Sequence, residues 1–362
     1  MRRIDILKSG SHSYSFEAAA ARDLHQALGE TDITSQIIAL DEGNIGTYFQ
    51  DLLVNPPCAT LSFTNLFPAF HFFSANARLP HILIKEGHIG GGFSSLKNPL
   101  NQIYLPCRAT VSYLQSKGST QVHFAPSPPL WRNSSIDRDA KRPYDAVLFN
   151  DLVEKGDLFK TWERIFSRQE AEFLRGFLEN PPPASTLESL IDALKHSPLS
   201  NPTGGIDHWL TALEEALPIQ PTLDLIESIP NVHFHLFGEH IGNCWLTRLQ
   251  NRGTIFLHDL LPYSLHFEVL KRAKILIRPK PFSKDGADPW ILPAINAGSL
   301  FLTPKNPFLE EMLGKDSPCF YPEGDFYALE EKLHFYLERE KEREEIIRAY
   351  HPLLEKYEYS YL

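Results

Sequence analysis

A chain of 362 residues is more than twice the roughly 150 residues of a typical domain, which favours two domains and excludes a miniature stapled fold. Hydrophobic residues make up 43% of it, including 24 Phe and 13 Tyr, against 22% charged, so the chain can fill substantial cores and is not globally disordered. Lys plus Arg number 35 and Asp plus Glu 45, a formal net charge of −10, which disfavours broad electrostatic capture of nucleic acid or an anionic membrane and leaves room for a local basic pocket.

The first half alternates strand and helix patterns. Ile4 to Leu7 reads as a strand, a Gly/Ser turn follows, and Phe16, Ala20, Leu24 and Leu28 recur at helical spacing over about 15–28. Strands are expected at 35–40 and 59–63, with a helix at 45–53 between them, before the aromatic stretch FPAFHFF. HILIKE at 81–86 is a buried strand candidate that runs into GHIGGGF, and IYLP, the helix-like VSYLQSKG and the strand QVHFAPSPP at 121–129 complete an α/β domain over 1–130. The polar, proline-rich PSPPLWRNSSIDRDAKRP marks the interdomain connection, with the linker placed at 131–143.

YDAVLFN at 144–150 restarts the pattern with a core strand. A helix is expected over 158–178, a break at NPPPAST, and helices from Leu187 and over 209–217, either as a subdomain or as a layer over a sheet. Beyond Asn231 come the strands VHFHLFG at 232–238, GTIFLH at 253–258, KILIRP at 274–279 and SLFLTP at 299–304, interleaved with the helical LHFEVLKRA and WILPAINAG. Strands separated by helices need crossovers and favour a parallel sheet. A second α/β domain with a helical insertion is therefore expected over 144–325, and helices that pack across the domains over 326–362, broken near the polar EREKEREE.

FG at 237–238, FLH at 256–258, LKRAKILIRP at 270–279 and INAGSLFLTP at 295–304 follow one another in an arrangement that resembles the C-terminal donor domain of GT-B glycosyltransferases, especially bacterial CgeB-like and family-4-like enzymes. The N-terminal half resembles them in general architecture. The resemblance implies an α/β, GT-B-like fold of two facing Rossmann-like domains with a C-terminal helical segment. It also implies an acceptor on the N-terminal side and a nucleotide-sugar donor, possibly UDP-linked, on the C-terminal side, with no cofactor and no essential metal. It assigns Gly238 and Gly253 to close approach of the donor, although either glycine also reads as a turn residue, and places His258 and Tyr263 near the nucleotide-recognition loop. In RPKPFSKDGADP, Arg278, Lys280 and Lys284 would set cations against a diphosphate and Asp285 a carboxylate near sugar hydroxyls, an ordinary solvated loop being the competing reading. PAINAG at 293–298 resembles the family's EAxAxG segment, with Asn296 a possible ligand contact and Gly298 a helix cap or strand-approach residue. Pro293 stands where the family has Glu and supplies no carboxylate.

In the first half the loop GSHSY and KEGHIGGGF at 85–93 can reach a cleft. An inverting transfer needs a base for the acceptor hydroxyl; Glu86 and His88 are the first candidates, followed by His12 and Glu17. GHIGGGF is neither a P-loop nor a GxGxxG fingerprint, no HExxH occurs, and His233 and His235 on one strand face read as core or rim rather than as metal ligands. Cys58, Cys107, Cys244 and Cys319 form no CxxC pair, so buried free thiols in a reducing compartment are expected. The N-terminal stretch lacks the apolar segment of a signal peptide, and no run reaches the roughly 20 apolar residues that span lipid. The expectation is a cytoplasmic glycosyltransferase without a transmembrane segment or nucleic-acid partner, acting on a glycan, lipid, small-molecule or protein acceptor. The alternative is a noncatalytic nucleotide- or glycan-binding module on the same fold.

Overall fold

The computed structural model of the chain describes residues 2–9, 16–41, 43–63, 68–85, 98–126, 141–180, 193, 206–241, 249, 252–279, 285–286 and 288–357. Two six-stranded sheets organise them. The first is built from β1 (Arg2–Ser9), α1 (Phe16–Leu28), β2 (Ile33–Leu40), α2 (Ile45–Val54), β3 (Ala59–Ser62), α3 (Pro68–Asn76), β4 (His81–Ile84), β5 (Asn101–Leu105), α4 (Arg108–Ser116) and β6 (Val122–Phe124). Its strands lie in the order β2-β1-β3-β4-β5-β6, and every adjacent pair is parallel. Successive buried residues such as Asp5, Ile6 and Leu7 in β1 reflect helices on both faces, as parallel strands require. The aromatic FPAFHFF stretch forms α3: Phe70 is buried and Phe73 stacks on Phe49 of α2 at 4.3 Å.

The second sheet contains β7 (Tyr144–Phe149), β9 (Phe234–Phe237), β11 (Ile255–His258), β12 (Ala273–Ile277), β13 (Leu300–Pro304) and β14 (Phe320–Tyr321). Their order is β11-β9-β7-β12-β13-β14, again parallel throughout. The short β8 (Leu152–Val153) and β10 (His240–Ile241) pair separately. Ala146, Val147 and Leu148 of β7 are fully buried, as the YDAVLFN run predicts for a central strand. Around this sheet pack α8 (Ile219–Ser228), α9 (Tyr263–Arg272), α10 (Ile291–Ala297), α11 (Pro307–Leu313), α12 (Phe326–Glu338), α13 (Glu340–Tyr350) and α14 (Pro352–Lys356). α12 and α13 break at Arg339, within the polar EREKEREE stretch.

The stretch expected as one helix over 158–178 is two, α5 (Lys155–Ile165) and α6 (Arg168–Glu179). The second starts at Ser167, whose hydroxyl accepts from the Glu170 amide while the Glu170 carboxylate accepts from the Ser167 amide, a capping box that ends any continuous helix there. With α7 (Ile206–Ala216), these helices follow β8 in sequence but pack on the first sheet. Trp162, Leu174, Phe177, Trp209 and Leu213 form one buried cluster with Leu83, Ile103, Leu105, Val111 and Val122. The insertion into the second half thus completes the core of the first. The helix expected from Leu187 lies outside the described residues apart from the helical residue at 193.

Candidate active site

In a parallel sheet all strands end at one edge, and ligands of open α/β sheets bind beyond that edge where the strand order reverses direction. In the first sheet the reversal falls at β1, between β2 and β3. In the second it falls at β7, where the chain runs out through β9 and β11 and returns on the other side at β12. The two edges meet. Cys107, just past β5, forms an antiparallel bridge with Gly286, in the loop after β12, and the Arg108 amide donates to the Asp285 carbonyl at 2.7 Å. The C-terminal edges of the two sheets are therefore in contact, as expected of two facing domains.

Aromatic side chains cluster at this edge of the second sheet. Phe149, at the end of β7, packs against His266 and Trp290, each at 4.7 Å, and Tyr263 lies 5.0 Å from Trp290. Tyr263, at the start of α9, also packs on the core cluster of Ile6, Ala20, Leu24 and Phe63 in the first domain, so it is an interdomain contact. Burial holds His266 below the usual imidazole range, so it is neutral at physiological pH.

At the switch point Arg278 is buried, and its Nε donates to Asp288 at 2.6 Å. Its Nη1 reaches the Phe149 carbonyl at 3.5 Å, while its own carbonyl accepts from the Tyr321 hydroxyl at 2.7 Å. Asp288 also accepts from the Trp290 amide at 2.9 Å, starting α10. Arg278 thus ties the strand end to the loop and to a helix start, and its charge is compensated inside the protein. The Asp285 Oδ1 is shut off from solvent and accepts no hydrogen bond among the described residues, and its charge acts on Arg108.

Gly238 lies at the cleft edge, where a Cβ would collide with the Asn150 carbonyl and stand 2.7 Å from the Asp151 carboxylate. Its lack of a side chain serves the close approach of the exits of β7 and β9. Gly253 precedes β11 and therefore sits at the opposite edge of the sheet from Gly238, with open space around it. His258 ends β11, stacks on Phe237 at 4.2 Å, and shares a hydrogen bond with His235. His233 instead contacts Asp145. Among the described residues no group of three or more His, Cys, Asp or Glu is placed to hold a metal. Asn296 is buried within α10, as is Pro293, and Gly298 adopts φ 73° as the helix C-cap, with the Ser299 amide closing onto the Ala294 carbonyl. Glu86, His88, His12, Lys280 and Lys284 lie outside the described residues. Glu17, read by sequence as a lesser candidate, is buried in the first turn of α1.

Sequence reasoning passed over three residues that shape the cleft: Arg108, Asp288 and Trp290. Asp288 carried a usable signal, an Asp-Pro pair directly before the apolar WILPAIN run, which reads as a helix start. Arg108 had none, because Asp285, Phe308 and Glu311, which hold it from the second domain, are 177 or more positions away in the chain.

The fold and the cleft define a two-domain, GT-B-like α/β protein. No family model matches the chain, and no curated protein matches it in sequence. Solved structures do match over nearly its whole length. A substituted β-glucosyltransferase of phage T4 in complex with UDP-glucose is 9% identical, covering 98% of this chain and 95% of that one with a TM-score of 0.54. Another structure of the T4 phage β-glucosyltransferase is 10% identical, with coverages of 98% and 94% and a TM-score of 0.54. A DNA-modifying β-glucosyltransferase studied with and without uridine diphosphoglucose is 11% identical, with coverages of 98% and 94% and a TM-score of 0.54. At such identities the likeness is one of fold.

Proposed function

We propose that the protein is a glycosyltransferase that moves a sugar from a nucleotide-diphosphate donor, UDP-linked in the first instance, to a hydroxyl or other nucleophile. The observation that carries this reading is the contact between the C-terminal edges of two parallel sheets, on a fold shared with a β-glucosyltransferase solved in complex with UDP-glucose. The loop after β12 receives the diphosphate, and the first domain orients the acceptor. With Arg278 compensated by Asp288, the cationic part of phosphate binding passes to Lys280 and Lys284. In an inverting transfer the acceptor oxygen attacks the anomeric carbon, the bond from that carbon to the diphosphate oxygen breaks, and Glu86 or His88 takes the acceptor proton.

The kinship to CgeB-like and family-4-like enzymes is part of this proposal for the donor domain. So is a cytoplasmic location, supported by free Cys58, Cys107 and Cys319. No helix among the described residues is long and apolar enough to cross a membrane. The acceptor is not carried over from the DNA-modifying neighbour, because the net charge of −10 opposes a nucleic-acid surface.

Pro293 favours a second reading, a noncatalytic nucleotide-sugar-binding module, because it leaves the ribose or sugar without the carboxylate that the family pattern places there. A panel of UDP-sugars, tested by calorimetry and by hydrolysis or transfer, separates the two. Turnover supports the enzyme; tight binding without turnover through an acceptor screen supports the module. No binding to any nucleotide sugar rejects both.

A further inference from the structure

Arg108 is the first residue of α4, directly beyond the edge of the first sheet, yet most of what holds it belongs to the second domain. Its guanidinium makes two contacts to the Glu311 carboxylate of α11, at 2.5 and 3.2 Å. The same group lies over two rings that touch each other, Phe124 at the end of β6 and Phe308 in α11, with 4.9 Å to each centroid. The rings come from different domains and meet edge to face at 5.2 Å. Its backbone amide is bonded to Asp285, and Cys107 bridges Gly286.

The Glu311 contact alone explains little, since that carboxylate is exposed and an exposed ion pair is screened by water and salt. What distinguishes Arg108 is convergence: one residue supplies a backbone bond to the loop, a planar cation against a pair of touching rings, one from each domain, and a two-point ion pair. The held loop leads in three residues from Asp285 to Asp288, whose carboxylate anchors Arg278 and the Trp290 amide. The Asn306 side chain donates to the Gly286 carbonyl at 3.0 Å from the other side, so the segment is gripped by both domains.

We propose that Arg108 is a positioning residue for the donor loop: it makes the geometry of Asp285 to Asp288, and through Asp288 that of Arg278, depend on contact between the two domains. This rests on the glycosyltransferase reading for its kinetic consequence but not for its structural one. Lysine does not substitute, because an ammonium offers neither the planar face nor the paired donors.

The test compares Arg108→Ala, Arg108→Lys and Glu311→Gln with the unaltered full chain. Amide hydrogen exchange of Gly286, Asp288 and Trp290 is read without ligand, and KM and kcat are read with UDP-glucose. In Arg108→Ala and Arg108→Lys, exchange at the three amides rises by about tenfold or more while β7 and β13 keep their protection. Glu311→Gln, which retains the ring contacts and the backbone bond, shows a smaller rise. KM for UDP-glucose rises by about tenfold in the Arg108 variants with kcat changed by less than about threefold, the pattern of lost binding geometry rather than lost chemistry. Unchanged exchange at these amides in a folded Arg108→Lys overturns the proposal whatever the kinetics show. If Arg108→Ala loses protection throughout the chain, Arg108→Lys and Glu311→Gln decide by the same measurement. Absence of UDP-glucose binding in the unaltered protein counts against the glycosyltransferase reading and leaves the exchange arm to judge Arg108.

Discussion

The Nε of Arg278 lies 2.6 Å from the Asp288 carboxylate, with the two side chains only 9% and 2% exposed. A buried pair of this kind offsets the cost of desolvating each charge by holding the other close, so removing one partner strands the second. Asp288→Ala is expected to destabilise the protein by about 3–5 kcal/mol. Asp288→Asn should cost less, because an amide oxygen can still accept from the Trp290 amide. Urea midpoints of the two variants check the order, and an alanine variant as stable as the parent would show that the pair does not hold this loop.

The His235 and His258 rings face each other across β9 and β11, Nδ1 to Nε2, at 3.0 Å. Burial, and then the neighbouring His258, lowers His235 to about 4, and burial also lowers His258. The folded state therefore binds fewer protons than the unfolded state between the ordinary imidazole value, about 6.5, and about 4. Stability from this pair is fully present above about pH 6.5 and is lost as pH falls toward 4. His235→Phe keeps a ring in the stack with Phe256, which His235 now meets at 4.7 Å, and removes the titration. Its urea midpoint should fall less than the parent's between pH 7.5 and 4.5. Parallel curves for the two proteins would contradict this account.

The alternation of strand and helix was legible because buried parallel strands leave short apolar runs such as YDAVLF and AKILI, bounded by turn residues. The position of α5–α7 was not. Their amphipathic pattern says that Trp162, Leu174 and Trp209 face something apolar, but nothing local says that it is Leu83, Ile103 and Leu105 of the other half. The site was legible in the same measure. RPKPFSKDGADP announced a charged loop after a core strand, whereas the pairing of Arg278 with Asp288 and the grip of Arg108 depend on tertiary approach. Gly238 and Gly253 look alike in sequence, yet one follows a strand and the other precedes one, so they lie at opposite edges of the parallel sheet.

The shared cluster makes a prediction about fragments. A chain of residues 1–126 would expose Leu83, Ile103, Leu105, Val111 and Val122, all buried in the full protein beneath α5–α7. It should aggregate or remain partly unfolded by circular dichroism and size exclusion. In the full chain, Leu174→Ala should cost about 2–5 kcal/mol, as removal of a fully buried leucine does. A monomeric, cooperatively folded 1–126 fragment would show that the insertion is an accessory layer.

The acidic balance yields a binding prediction. With a net charge of −10, the protein should not retain duplex DNA at about 0.15 M salt, where phosphate contacts must overcome both screening and repulsion. A mobility-shift titration with random-sequence duplex checks it. Retention that weakens steeply with salt would reveal a concentrated basic surface and reopen DNA as an acceptor.

The division of labour between Arg278 and the lysines beyond it can be separated kinetically. Because Arg278 is buried and compensated, a diphosphate arriving at the loop must find positive charge elsewhere, and Lys280 and Lys284 are the cations in the same segment of the sequence. Lys280→Ala and Lys284→Ala should weaken UDP and UDP-sugar binding by calorimetry with little loss of thermal stability, whereas Arg278→Ala should lose stability first. Glu86→Gln or His88→Ala should behave in the opposite way, leaving the donor dissociation constant close to the parent's and lowering turnover by about 10²–10⁴-fold, the usual contribution of a general base. Full turnover in both variants would remove Glu86 and His88 from the reaction. Unaltered donor binding in the double lysine variant would move the diphosphate away from this loop and onto the exits of β7 and β9, where the Gly238 backbone packs too close to Asn150 to admit a side chain.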